Sequence, residues 1–530
     1  MAEHEYLLDV SQLEPPEPLQ KALSALDELQ AGQYIRLLHR RNPELLYPIL
    51  EKRGYAFHTF RAKEPAFEVL IWKKTDQEAD ARCQALIKQA WDVKKKKAAA
   101  KDTPKLSFEQ APPISIPFRF FLMAPVFGFV AAMVLLFAGS ESMDSRWSPE
   151  VVSAVHFMVL GFSTMTMIGA MMQILPVVIG TIIPKSRLVS NLVFGLYVPG
   201  VALLGSAFLF RKDVLFNSAA VFLGLGFSIF IIVVLHTLFA SGVRTSASRA
   251  IKLAVISLAV TVAMGIMMVL VFGTHGGVTK HLFVTIHLGW GLVGWTGLLI
   301  IGVSFQVVPM FQITPQYPIW IRQWLPLSLV YLLVLWSLVT YFHQYLDGKN
   351  MIYYLSGLLI LLLTGLYSIN TLLLQRQRRR KIPDVTVSFW QLAMVSAVFG
   401  IVLTAVNIIS PETGEHYSLE LVIGIVVISG VMQSVINGML YKIMPFLVWF
   451  HLQAKQTTPG VLPNMKEIIR DRKMWIQYWL HFGSIAGLAG AVFYPEQLFY
   501  PAVSIFAISM LLLWANMMMA IWTYQRAVQR

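Results

Sequence analysis

Twelve apolar runs of 18 or more residues divide this chain, near 118–138, 151–180, 188–210, 215–240, 251–273, 281–311, 325–342, 352–374, 388–409, 419–449, 475–494 and 500–523. A run of that length crosses the hydrocarbon core of a bilayer as one helix. Lipid offers no hydrogen bonds, so each segment must satisfy its own backbone, and a helix does so. The runs predict an all-α polytopic membrane domain of about twelve helices over residues 117–525.

The loops set an orientation. One set holds Lys185 and Arg187, then Arg244, Arg249 and Lys252, then Arg376 to Lys381, then Lys455 to Lys473. The alternate set holds Glu141 and Asp144, then Pro411 to Glu415, then Tyr494 to Tyr500. Basic loops stay cytoplasmic, so both termini are expected inside a bacterial-type inner membrane. A soluble chain carries about a quarter charged residues; this one carries 14%. The net charge of +14 resides mainly in the short loops and so speaks of topology, not of nucleic acid. No basic stretch followed by an apolar one opens the chain, so no signal peptide is expected. The single cysteine, Cys83, excludes an internal disulfide and any multi-cysteine metal site.

Residues 1–75 follow another pattern. Tyr6 to Val10, Tyr34 to Leu38, Ala56 to Phe60 and Phe67 to Trp72 read as strands. Pro16 to Leu29, with Leu19, Leu23, Leu26 and Leu29 on one face, and Pro43 to Lys52 read as helices. The order β-α-β-α-β-β predicts a two-layer α/β domain on the cytoplasmic N-terminus. Residues 76–116 read as a charged helix and linker. The Lys94 to Lys97 run there suits anionic lipid.

Three spans share one pattern. The second holds Gly161, Gly169, Gln173 and Pro176; the sixth holds Gly294, Gly302, Gln306 and Pro309; the tenth holds Gly430, Gly438, Lys442 and Pro445. The prolines are 309 − 176 = 133 and 445 − 309 = 136 residues apart. That period holds four spans, so the twelve form three four-helix pseudo-repeats. Glycines eight apart share a helix face, which admits either a neighbouring helix or a flat cofactor. Gln173, Gln306 and Lys442 are candidates to line polar channels, or to snorkel to the interface.

Histidines within spans are functional candidates by default. His156 lies in the second span, His281 and His287 open the sixth, and His416 stands just before the tenth. Each repeat helix thus carries histidine toward its periplasmic end, and neutral imidazole ligates haem and metals. His236, His451 and His481 lie toward the cytoplasmic side and read as interfacial.

Two resemblances follow from these residues. The stretch Leu8-Asp9 through Leu13-Glu14-Pro15-Pro16-Glu17-Pro18 is similar to the strand and Leu-x-Cys-Pro-x-Pro helix start of the TusA-like sulfur carriers. Pro15 stands where that family has its persulfide cysteine. Sulfur transfer needs a thiolate, so the likeness implies a cysteine-less regulatory or docking domain with a cytoplasmic protein partner. The membrane part resembles subunit I of haem-copper oxidases and nitric-oxide reductases, and NnrS-type haem proteins. The likeness rests on three four-helix units, on His156-Phe157-Met158-Val159-Leu160-Gly161-Phe162, and on Gly294-Trp295 with Gln306-Val307-Val308-Pro309-Met310-Phe311. It implies His156 as a ligand of haem b and His287 as a metal or haem ligand, with copper the family's metal there. The seventh span lacks the paired histidines of a copper site, and the tenth lacks the His-x-His pair, with only His416 at its edge. A complete terminal oxidase is therefore not expected.

The resulting expectation is a haem-binding membrane protein of respiratory redox chemistry or nitric-oxide handling. A transporter or channel, and a membrane-tethered sensor, are the alternatives. No nucleotide-binding loop, hydrolase nucleophile motif or zinc-protease helix occurs.

Overall fold

A computed structural model describes residues 4–61, 67–94, 112–176, 181, 183–272, 278–343, 351–382, 384–409, 416–455 and 463–529. The Lys94 to Lys97 run lies almost wholly outside them.

The N-terminal domain has four strands, β1 (Glu5–Asp9), β2 (Tyr34–His39), β3 (Tyr55–Arg61) and β4 (Phe67–Lys73), in the order β1-β2-β4-β3. β1 and β2 are parallel; β4 runs antiparallel to β2 and β3. Helices α1 (Glu17–Asp27) and α2 (Tyr47–Lys52) supply Leu19, Leu23, Leu26, Ile49 and Leu50 to a core with Ile35, Leu37, Val69 and Ile71. The expected element order is observed. Helix α3 (Gln77–Lys94) adds to it by covering the sheet's other face. Its Ala79 and Cys83 pack on Tyr34, Leu70 and Trp72, and Asp80 accepts a 2.8 Å hydrogen bond from Trp72 Nε1. Burial pushes the Cys83 thiol up to about 12, which leaves about one thiolate in ten thousand at pH 8. Native protein is expected to leave Cys83 unalkylated by iodoacetamide at pH 8, with full labelling only after unfolding. Labelling of native protein at the denatured rate would contradict this packing.

The helical region begins with α4 (Ser115–Ala138), α5 (Pro149–Ile174), α6 (Ser186–Phe210) and α7 (Asp213–Ala240). It continues with α8 (Ser246–Leu270), α9 (Leu282–Phe311), α10 (Ile319–Phe342) and α11 (Met351–Arg376). The last group is α12 (Val385–Ile408), α13 (Leu419–Gln453), α14 (Asp471–Ala491) and α15 (Pro495–Val528). Eleven of these, all but α14, are long and apolar enough to cross a membrane. The twelfth expected span does form a helix. Its apolar content falls short because Gln477, His481 and Ser484 interrupt it, and all three are buried inside the bundle.

The internal repeat is visible in the backbone. α5, α9 and α13 each contain an eight-residue π-helical segment, at Phe157–Thr164, Trp290–Gly297 and Val426–Gln433. The segments start 290 − 157 = 133 and 426 − 290 = 136 residues apart, the same intervals as the prolines. π segments cost backbone stability and recur mostly at functional places. They meet near the middle of the bundle. Trp295 Nε1 donates to Thr164 Oγ1 at 3.2 Å, and the first and third segments pack together.

The glycine faces are filled by helices. A Cβ on Gly169 would lie 2.7 Å from Phe120 Cβ, on Gly302 2.8 Å from Ala250 Cβ, and on Gly438 2.8 Å from Phe389 Cβ. Each contact is made by the first helix of the same unit. The stripes therefore serve helix packing and leave no room for a flat cofactor.

Candidate functional site

Two places gather chemistry. The first joins the N-terminal domain to the helical region. Because β1 and β2 are parallel, the turn after β1 and the turn after β2 emerge at one edge of the sheet. That edge carries Glu14, Glu17 and Arg40. The turn is fixed by its own backbone: Glu17 N donates to Glu14 O at 2.8 Å, and Leu13 N to Val10 O at 3.2 Å.

Glu14 reaches Lys442, which lies inside α13. Its Oε2 accepts from Lys442 Nζ at 2.9 Å, and the two side chains are only 6% and 11% exposed. Lys442 Nζ also lies 3.5 Å from Asp384 Oδ2 and 5.9 Å from the Phe311 ring centre. Arg380 Nη1 pairs with Glu17 Oε1 at 3.2 Å and lies 3.8 Å from Glu14 Oε2. Arg40 Nη2 donates to Met310 O at 2.8 Å, beside the proline that ends the α9 pattern. Burial alone would raise the Asp384 carboxyl. The Lys442 ammonium and hydrogen bonds from Thr386 outweigh it and hold it below the usual carboxylate range. Burial lowers Arg40 to about 10, with neighbouring Arg41 adding to the shift, so it stays charged at neutral pH. Burial likewise lowers His39 to about 4, so that imidazole is neutral. The result is a closed ion network, two cations against three carboxylates, with Arg40 anchoring its edge.

The second place lies on α5 and α9. His156 Nδ1 sits 2.7 Å from Val152 O, and its ring centre is 4.7 Å from that of Phe208. His287 Nδ1 sits 3.0 Å from Thr261 O on α8. With Nδ1–H given to a backbone carbonyl, each ring keeps Nε2 as its free lone pair. That is the arrangement by which histidines are oriented as ligands. His156 directly precedes the first π segment, and His287 stands three residues before the second.

The other expected residues are scattered. His281 lies within the helix Val278–Gly289, and His416 opens the helix His416–Ile425. Their side chains lie outside the described residues. Gln173 is buried with its Oε1 unpartnered, and Gln306 is half-buried. Of the three equivalent positions, Lys442 has become an ion pair. His481 corrects its expected interfacial place: it is fully buried, with Nε2 2.8 Å from Ser434 Oγ. Among the described residues no three His, Cys, Asp or Glu side chains gather to hold a metal ion.

Sequence reasoning singled out Lys442 but not Glu14, Asp384 or Arg380 as its surroundings. The available signal was Lys442 itself, since a lysine well inside an apolar helix needs a counter-charge.

A family model described as an uncharacterized conserved protein (DUF2249) matches residues 7–73. The match covers the four-stranded sheet with α1 and α2. No curated protein matches the chain.

Proposed function

We propose that this chain is a haem-binding membrane protein whose N-terminal domain is docked on its cytoplasmic side. The observation that carries the haem reading is the pair His156 and His287. Both tie Nδ1 to a backbone carbonyl and leave Nε2 free, on helices of different units. The donor chemistry fits haem b, which His156 and His287 would hold through their Nε2 atoms. It does not fit copper as well, because two imidazoles fall short of the ligand set that such a site needs. Bound haem supplies one-electron transfer or a place for a diatomic ligand such as nitric oxide. The chain's own part is to orient the imidazoles and to hold them away from water. The docked domain lies beside the basic Arg376 to Lys381 loop, which supports both termini being cytoplasmic in an inner membrane.

The test is optical. Detergent-purified protein is expected to show a Soret band and a positive pyridine haemochrome. His156→Ala and His287→Ala should each lower the haem content by more than half, while Phe137→Ala, on the exposed surface of α4, leaves it unchanged. Wild-type protein that carries no haem sinks the reading.

The transporter reading draws on the ion network, since a sealed charge cluster at one end of a bundle is what a gate would need. Solute flux in proteoliposomes from a haem-free preparation distinguishes it. An external protein partner of the N-terminal domain would meet a face other than the one carrying Glu14, Glu17 and Arg40.

A further inference from the structure

The three units serve as internal controls for one another. Ser434 on α13 corresponds to 434 − 136 = 298, Leu298, and to 298 − 133 = 165, Met165. By the same intervals Asn437 corresponds to Ile301 and Ile168, and Tyr441 to Phe305 and Met172. Apolar core in two units is thus replaced by hydroxyl, amide and phenol in the third. All three polar side chains are buried.

The polar face continues across the neighbouring helices. α14 presents Gln477, His481 and Ser484, spaced four and three residues apart, and α15 presents Ser509 and Asn516. Gln477 Nε2 donates to Ser509 Oγ at 3.1 Å, and Asn516 Nδ2 to Tyr441 Oη at 2.9 Å. Yet much is left over. Neither Asn437 Oδ1 nor Nδ2 has a partner among the described residues, and neither do Gln433 Oε1, Gln477 Oε1 and His481 Nδ1. Left dry, each such group loses its hydration and gains no bond in exchange. The leftover set is four acceptors and one donor, Asn437 Nδ2, with no carboxylate among them to neutralise a cation and one donor too few to hold an anion. Water, which both donates and accepts, suits it.

His481 ends the series near the middle of α14. Ser434 Oγ donates to Ser429 O at 3.3 Å, so it accepts from His481 Nε2–H. Nδ1 then holds the lone pair and is a proton acceptor. At the other end stands Lys442, eight residues along α13, and over it Glu14.

We propose that α13, α14 and α15 enclose a chain of bound water, running about 12 Å from Lys442 to His481 as a route for protons, and that Glu14 closes its mouth. This inference is independent of haem binding. It assigns the third unit a task that the first two lack.

Silver ion, which reacts with thiolates and is about as small as water, probes the route. In full-length protein carrying Cys83→Ser in nanodiscs, Asn437→Cys and the near-isosteric Ser434→Cys are each exposed to silver nitrate. Remaining thiol is then counted with maleimide after denaturation. Leu511→Cys, on the exposed surface of α15, is the control. Both inner cysteines are expected to react faster than the control, and Glu14→Gln should speed them at least about tenfold by removing a charge-assisted bond. If neither inner cysteine outpaces the control, with or without Glu14→Gln, the cluster is dry and the proposal fails. If both react but Glu14→Gln changes nothing, the closure by Glu14 is overturned.

Discussion

Lys442→Met is expected to release the N-terminal domain from the helical region. Removing one member of a buried ion pair costs about 3–5 kcal/mol, because the other charge stays buried without its partner. Glu14 can escape that cost only by returning to water, which requires the turn after β1 to lift away. The ratio of docked to undocked protein should therefore fall by roughly two to four orders of magnitude. Hydrogen exchange of residues 10–20 and 35–42 would report it as lost protection, while β3 and β4 keep theirs. Adding Glu14→Gln to Lys442→Met should restore much of the protection, since the domain then buries no unpaired carboxylate there, and Asp384, whose side chain is 24% exposed, keeps contact with water. Unchanged exchange in Lys442→Met would mean that Arg40 and Arg380 hold the domain by themselves. Arg380 cannot replace Lys442 fully. It lies 3.8 Å from Glu14 and is already engaged with Glu17 at 3.2 Å.

The network also explains what the sequence could and could not convey. Spans, repeat intervals and the succession of strands and helices are local or periodic properties, readable from spacing, whereas the sheet order β1-β2-β4-β3 is not. The π segments at Phe157, Trp290 and Val426 fall at the same intervals as the prolines. Lys442 was conspicuous because an apolar helix rarely carries lysine. Its partners were not legible, since Glu14 lies 428 residues away. The motif around Glu14 drew attention to Pro15, the position of a missing cysteine, rather than to the carboxylate beside it. His481 was misplaced for a related reason. Distance from a helix end gives depth but not azimuth, and azimuth decides whether a ring meets Ser434 or the interface. His156 and His287 were legible as candidates. Their common feature, Nδ1 on a backbone carbonyl, depends on Val152 one turn back in one case and on Thr261 of another helix in the other.

The second large effect concerns the glycine stripes. Gly169→Val, Gly302→Val and Gly438→Val are each expected to abolish the folded protein, judged by a monodisperse peak from detergent extracts. The nearest atoms to an added Cβ are Phe120 Cβ, Ala250 Cβ and Phe389 Cβ at 2.7, 2.8 and 2.8 Å, and backbone lies close behind at Pro117 O, Ile251 N and Thr386 O. A Cβ cannot rotate aside, so α4, α8 and α12 would each have to move away from their partner. Overpacking by a single methyl typically costs about 1–3 kcal/mol, and valine adds two more carbons to a contact already too short. Gly195, Gly424 and Gly483 provide the contrast, with nothing within 4 Å of an added Cβ. Alanine there should be neutral or stabilising by up to about 1 kcal/mol, because it is the better helix former. Equal loss at all three stripe positions would show that the repeat is a repeat of packing. Survival of one of them with altered optical properties would instead mean that a cofactor, and not a helix, meets that stripe. The filled stripes thus turn the proposed haem site away from the glycines and leave His156 and His287, whose Nδ1 atoms both meet backbone carbonyls, as the residues on which that proposal stands or falls.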